Sequence, residues 1–139
     1  MSRNEDRPIE ASEALAEAAR DLAYASRVFD DPADSYRVLG NLQVTLADLH
    51  QSIQQVAQMH NREWIRASSD TADQVVGHTA ARQAETLLQE AAASIDTAYD
   101  QLREAFSHNG RIAWQPDPAT VETTSQARTL SQSRPPPGR

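Results

Sequence analysis

Between Leu39 and His60 the apolar positions Leu39, Leu42, Leu46, Leu49, Ile53 and Val56 recur at steps of three and four. That spacing puts all six on one face of an α-helix. The next position in the series is His60, a polar residue where an apolar one is due. A second stripe of the same period runs through Ala84, Leu88, Ala91, Ile95, Ala98, Leu102 and Phe106, and a third through Ala11, Leu15, Ala18, Leu22, Ala25 and Phe29. Three amphipathic helices are predicted. Proline agrees: it occurs at Pro8 and Pro32 and then not before Pro116, leaving a long stretch without a helix breaker.

The end signals set the boundaries. Helix one is predicted from about Pro8 to Val28, with Asp6 as its N-cap and proline in the first turn. In "DDPAD", Asp31 suits an N-cap, Pro32 the first helical position and Asp34 the third, so helix two is expected from about Pro32 to Arg66. "ASSDTAD" reads as a turn, with Ser69 or Asp70 capping helix three, which runs to about His108. Asn109–Gly110 is a stop signal of the left-handed glycine type. Gly40 points to the close approach of another helix, and Gly77 to a delayed start or a bend. The expected fold is all-α: an elongated antiparallel three-helix bundle over residues 1–110, with a disordered Pro/Ser/Thr/Gln-rich tail at 111–139.

The predicted helices are unequal. At 1.5 Å per residue helix one is about 30 Å long, and helices two and three about 50 Å each. Helix one then covers only the first half of helix two and the second half of helix three. The far end of the long hairpin holds Val56, Met59, His60, Trp64, Ile65, Val75 and Val76 with two helices to bury them. These residues are the expected interface, for a second copy across a two-fold axis or for another helical protein. The competing arrangement has helix three break at Gly77 and fold over the tip. His60 would act there as a register-setting polar residue, or as a group that makes an interface sensitive to pH near 6.

Charge narrows the partners. Residues 1–110 carry nine Arg against eighteen Asp and Glu, whereas residues 111–139 carry four Arg against two acids. An acidic body repels phosphate backbones and anionic lipid, so nucleic acid and membrane are poor partners for it. All thirteen basic residues are Arg, whose forks favour carboxylate pairs across the surface. There is no cysteine, which excludes disulfides, thiolate metal sites and a cysteine nucleophile. No apolar run approaches the roughly 18 residues of a membrane span. "MSRNEDRPIE" lacks the apolar core of a Sec-type signal, and a cytoplasmic location is expected.

Catalytic chemistry finds no support in motifs: there is no phosphate-cradling glycine loop and no nucleophile elbow. His60 and Glu63 lie one turn apart, but a carboxylate-bridged metal site in a bundle needs several such pairs. No metal, cofactor or small-molecule substrate is expected. Glu104 and His108 are spaced for a local pair near a helix C-terminus. In "RIAW", Ile112 and Trp114 either fold back over the bundle end near Leu22, Tyr36 and Phe106 or anchor a partner. The terminal "RPPPGR" has polyproline character.

The hairpin with Trp64 near its turn, in "WIRASSD", resembles the WXG100 family of type VII secretion substrates over about residues 33–108. The resemblance implies a secreted helical hairpin. Arg66 stands where that family has glycine, and Arg103, four residues after Tyr99, stands where its export signal has an acid. Two further roles are compatible with the pattern: a non-enzymatic interaction or assembly protein, and an accessory factor in DNA partition, transfer or regulation.

Overall fold

A computed structural model describes residues 6–132. Helix α1 spans Arg7–Ala25, α2 Ser35–Glu63, α3 Gln74–Asn109 and α4 Pro118–Gln132; short 3₁₀ turns, Pro32–Asp34 and Trp64–Arg66, precede and follow α2. No strand occurs among the described residues, so the chain is all-α. The terminal "RPPPGR" lies outside the described residues.

The predicted start of helix two is built as its residues dictate. Asp31 is extended, and its carboxylate accepts from the Ala33 N–H at 2.9 Å. Pro32 opens the 3₁₀ turn that feeds α2. Helix α3 is capped three or four residues later than the expected Ser69 or Asp70. Asp73 takes the N-cap role and accepts from the Val76 N–H at 3.1 Å. Ser69 instead ties the loop: its hydroxyl accepts from the Asp73 N–H at 3.0 Å, and its own N–H donates to the Asp73 carbonyl at 2.8 Å.

Helices α2 and α3 form an antiparallel hairpin, about 44 and 54 Å long. Cross-helix partners rise in number on α2 as they fall on α3. Asn109 donates to the Ser35 hydroxyl at 2.9 Å, Tyr36 stacks on Phe106 with ring centroids 4.4 Å apart, and Arg82 donates to Asn61 at 3.0 Å. Leu39, Leu42, Leu46, Leu49 and Ile53 are half-buried, as are Ala84, Leu88, Ile95, Ala98, Leu102 and Phe106.

The predicted α2 stripe slips by one residue near the tip, where Val56 is exposed and Ala57 buried. In the middle of α3 Ala91 is exposed and Ala92 buried, while Leu88 and Ile95 on either side stay half-buried as predicted. A straight α-helix rotates about 20° per heptad away from a 3.5-residue repeat, so a stripe of strict three–four steps leaves the contact line after two or three heptads. The seam therefore passes from Ile53 to Ala57.

Both interior glycines are explained by close approach. A Cβ on Gly40 would sit 3.3 Å from the Phe106 ring. A Cβ on Gly77 would fall onto the Ser68 backbone, closer than any real Cβ contact. Gly77 neither delays nor breaks α3; it lets the connecting loop lie against the helix. Gly110 ends α3 in the right-handed region, with φ −62° rather than a positive value, and its N–H still donates to the Phe106 carbonyl at 3.0 Å. The left-handed stop is thus absent. What glycine provides there is room, because a Cβ would stand 3.2 Å from the Tyr36 ring.

Two expectations meet a different arrangement. Helix α1 does not complete a close-packed bundle: none of its Cα atoms lies within 8 Å of a Cα in another helical element. It lies across an open groove of about 370 Å³, lined by Leu15, Ala18, Leu22, Val38, Leu42 and Thr45 among others. Its stripe is half alanine and offers little area to bury. Every residue of α1 except Leu22 is exposed. The expected disordered tail, in turn, carries α4, whose Cα atoms are also more than 8 Å from those of the other helices. Pro118 sits in the first position of that helix, where a missing N–H costs nothing, and Asp117 accepts from the Ala119 N–H at 2.9 Å.

Candidate interaction surface

The end of the hairpin is organised around Trp64. The 3₁₀ turn Trp64–Arg66 carries the indole off the end of α2 and against α3. The His78 imidazole meets it edge-on, with centroids 5.0 Å apart at 83°. The Arg82 guanidinium lies over it at 4.9 Å from the ring centroid. His78 is oriented by its Nε2–H, which donates to the Ile65 carbonyl at 3.1 Å. Arg82 is held by Asn61 and by an ion pair with Glu85 at 3.0 Å. Such cation–aromatic contacts stabilise by about 0.5–1 kcal/mol at exposed sites. Trp64 is thereby half-buried. One side of it borders a shallow groove of about 660 Å³ with His78, Arg82, Thr86 and Leu87. Another faces Met59, His60, Glu63 and Ala81.

His60 is half-buried at this end. Its Nδ1–H donates to the Val56 carbonyl one turn back, at 2.9 Å. This bond fixes the tautomer and occupies the ring nitrogen that faces its own helix.

The remaining predicted interface residues are open to solvent. Val75 is 74% exposed and Ile65 67%, and Val56, Met59 and Val76 are also exposed. They occupy the end of the molecule where the connecting loop turns, while Leu87, itself 64% exposed, stands about three turns further along α3. Sequence reasoning did not single out Leu87, because it lies off the stripe that packs on α2. Among the apolar side chains of the described residues, Ala57 and Ala92 are fully buried and no larger one is.

At the opposite end, Ile112 and Trp114 share a cleft of about 200 Å³ with Ala33, Tyr36, Asn109 and Gly110. Both remain about half exposed. The segment after α3 folds back to Tyr36, while Leu22 and Phe106 do not line the cleft.

Two expected surface features differ. Arginine–carboxylate pairs do not lace the molecule: among the described residues they are Arg66–Glu63 and Arg82–Glu85, both one turn apart on their own segments. Glu104 and His108 form no ion pair among the described residues. No helix of the described residues is long and apolar enough to cross a membrane. Comparison with protein families, curated proteins and solved structures returns no match.

Proposed function

We propose that this chain is a non-enzymatic helical assembly protein of the cytoplasm, which self-associates or binds a helical partner through the apolar tip of the α2–α3 hairpin. The observation that carries this reading is the grouping of Val56, Met59, Ile65, Val75 and Val76, all exposed, at one end of a hairpin whose fully buried apolar side chains are two alanines. Burying large aliphatic side chains yields about 1.5–3 kcal/mol each, and a two-helix tip leaves much of that gain unrealised. A further pair of helices laid on the tip recovers it. On this reading α1 closes more tightly on the hairpin as the partner seats, giving the compact bundle its stripe calls for, and the segment from residue 111 onward remains outside the contact.

Light scattering after size exclusion tests the proposal on the full chain. A homodimer has twice the 15.3 kDa of the single chain. Ile65→Asp and Val75→Asp alter side chains that are mostly solvated in the monomer, so they should convert the dimer to a folded monomer. A wild-type monomer at 100 µM would eliminate self-association, and a foreign helical partner would be left to carry the function.

A second reading, a secreted hairpin like the WXG100 proteins, is favoured by one specific feature: α2 and α3 form an antiparallel hairpin with Trp64 at its turn. Appearance of the protein in the medium of a host only when its type VII system is intact would support this reading, and retention in both strains would dismiss it.

A further inference from the structure

The base of the hairpin, at the end away from Trp64, carries a sequence with chemistry of its own. Four asparagines occur in the chain, and Asn109 is the one followed by glycine; Asn4, Asn41 and Asn61 precede Glu5, Leu42 and Arg62. An asparagine carboxamide is open to attack by the backbone nitrogen of the next residue, which closes a five-membered ring. A side chain on that next residue obstructs the approach, and glycine has none.

In the closed base both reacting groups are occupied. The Asn109 Nδ2 donates to the Ser35 hydroxyl at 2.9 Å, and the Gly110 N–H donates to the Phe106 carbonyl at 3.0 Å. Ser35 is itself committed, because its hydroxyl donates to the Pro32 carbonyl at 2.6 Å. Ring closure therefore requires the ends of α2 and α3 to part. Helix ends open locally at far lower cost than the middle of a packed hairpin. Water is at hand: Asn109 and Gly110 border the cleft shared with Tyr36, Ile112 and Trp114, and the last two are about half exposed.

We infer that Asn109 is a site of spontaneous deamidation, gated by opening of the hairpin base, and that its product holds the base open. This inference is independent of any partner at the tip. The Gly110 nitrogen gives up its proton to solvent and bonds to the Asn109 Cγ. The Cγ–Nδ2 bond breaks, and Nδ2 leaves as ammonia with one proton from water. A water molecule then opens the cyclic imide at one of its two carbonyls, leaving aspartate or isoaspartate at position 109. The net change is one water consumed and one ammonia released.

Neither product fits the closed base. The Asn109 Oδ1 is enclosed and accepts no hydrogen bond from the described residues, so a carboxylate there would be a buried charge without donors. A carboxylate only accepts, whereas the group facing Ser35 must donate, since the Ser35 proton is given to Pro32. The C-terminal end of α3 disfavours negative charge, and Asp34 adjoins Ser35 in the chain. Arg111, the nearest arginine in sequence, is exposed and screened by solvent. Isoaspartate adds a methylene to the main chain, which breaks the register of the Gly110–Phe106 bond and carries Ile112 and Trp114 out of their cleft.

Peptide mass spectrometry tests this on the full chain, incubated at mildly alkaline pH in buffer and in urea above the unfolding midpoint. The mass shift of NH2 replaced by OH should appear at Asn109 and leave Asn41 and Asn61 unchanged. It should form at least about tenfold faster in urea than in buffer. Ser35→Ala, verified as folded by circular dichroism, should speed it severalfold in buffer and not in urea. An Asn109 that keeps its amide in urea would overturn the site. Equal wild-type rates in buffer and urea, or no acceleration by Ser35→Ala in buffer, would overturn its gating. Hydrogen exchange then compares the wild type with the purified deamidated chain and with Asn109→Asp, which carries the aspartate product directly. In both, amides near Leu39 and Phe106 should lose protection at least about tenfold, with those near Trp64 unchanged. Retained protection at the base would overturn the claim that the modification holds it open.

Discussion

At the scale of single residues, the connecting loop carries the sharpest constraints. Ala72 adopts φ 62°, the one non-glycine residue with positive φ among those described. Its N–H donates to the Ser69 carbonyl at 2.8 Å, closing the turn that sets up the α3 cap. The left-handed region costs a residue with a Cβ about 1 kcal/mol, and glycine escapes that cost. Ala72→Gly should therefore raise stability by about 0.5–1 kcal/mol, read as a higher urea midpoint with an unchanged slope. Gly77 is the converse. Alanine there gains about 1 kcal/mol of helix propensity, but its Cβ collides with the Ser68 backbone, and overpacking against a backbone costs about 1–3 kcal/mol. Because the obstacle is main chain rather than a movable side chain, the collision should win. Gly77→Ala is expected to lower stability by up to roughly 2 kcal/mol in the same measurement.

At the scale of elements, the caps are the points to test. Asp73→Ala removes the side-chain acceptor at the start of α3, and Asp31→Ala does the same for the 3₁₀ turn before α2. Each loss should cost about 1 kcal/mol by urea denaturation, with asparagine at either position restoring most of it. The elements show how far local signals reach. The three long helices and the Asp31–Pro32 start were legible because periodicity, proline and capping residues act within a few positions. The cap of α3 was not, because "SSDTAD" offers several equivalent oxygens. Choosing Asp73 required the tertiary contact between Ser68 and Gly77, which only the folded loop creates. The distance of α1 from the hairpin was equally hidden: a stripe reports which face would be buried, not whether the area suffices to hold it. Helix α4 was missed because Ser, Thr and Gln outweigh its few apolar residues, so no period stands out. At the tip, exposure of Met59, Ile65, Val75 and Val76 followed the pattern, but Val56, which its spacing placed on the seam, is left exposed by the slip to Ala57; the clasp of Trp64 by His78 and Arg82 joins residues more than a dozen positions apart and has no local signature.

For the whole molecule, the hairpin and α1 should behave as separate layers of stability. In hydrogen exchange, amides of α2 and α3 near Leu46 and Ile95 should be protected well beyond those of α1, where an isolated 19-residue helix is only marginally stable. Protection of α1 equal to that of the hairpin in dilute monomer would contradict the open groove. The connectivity of the hairpin also dictates an order of events in time. Contacts near the turn close short loops: His78 with Ile65 spans 13 residues and Arg82 with Asn61 spans 21, whereas Asn109 with Ser35 spans 74. Loop-closure entropy grows with that span, so the chain gains most by zipping from the loop toward the base. Trp64→Phe should accordingly slow folding, while Tyr36→Leu, at the end that closes last and opens first, should leave the folding rate nearly unchanged and accelerate unfolding.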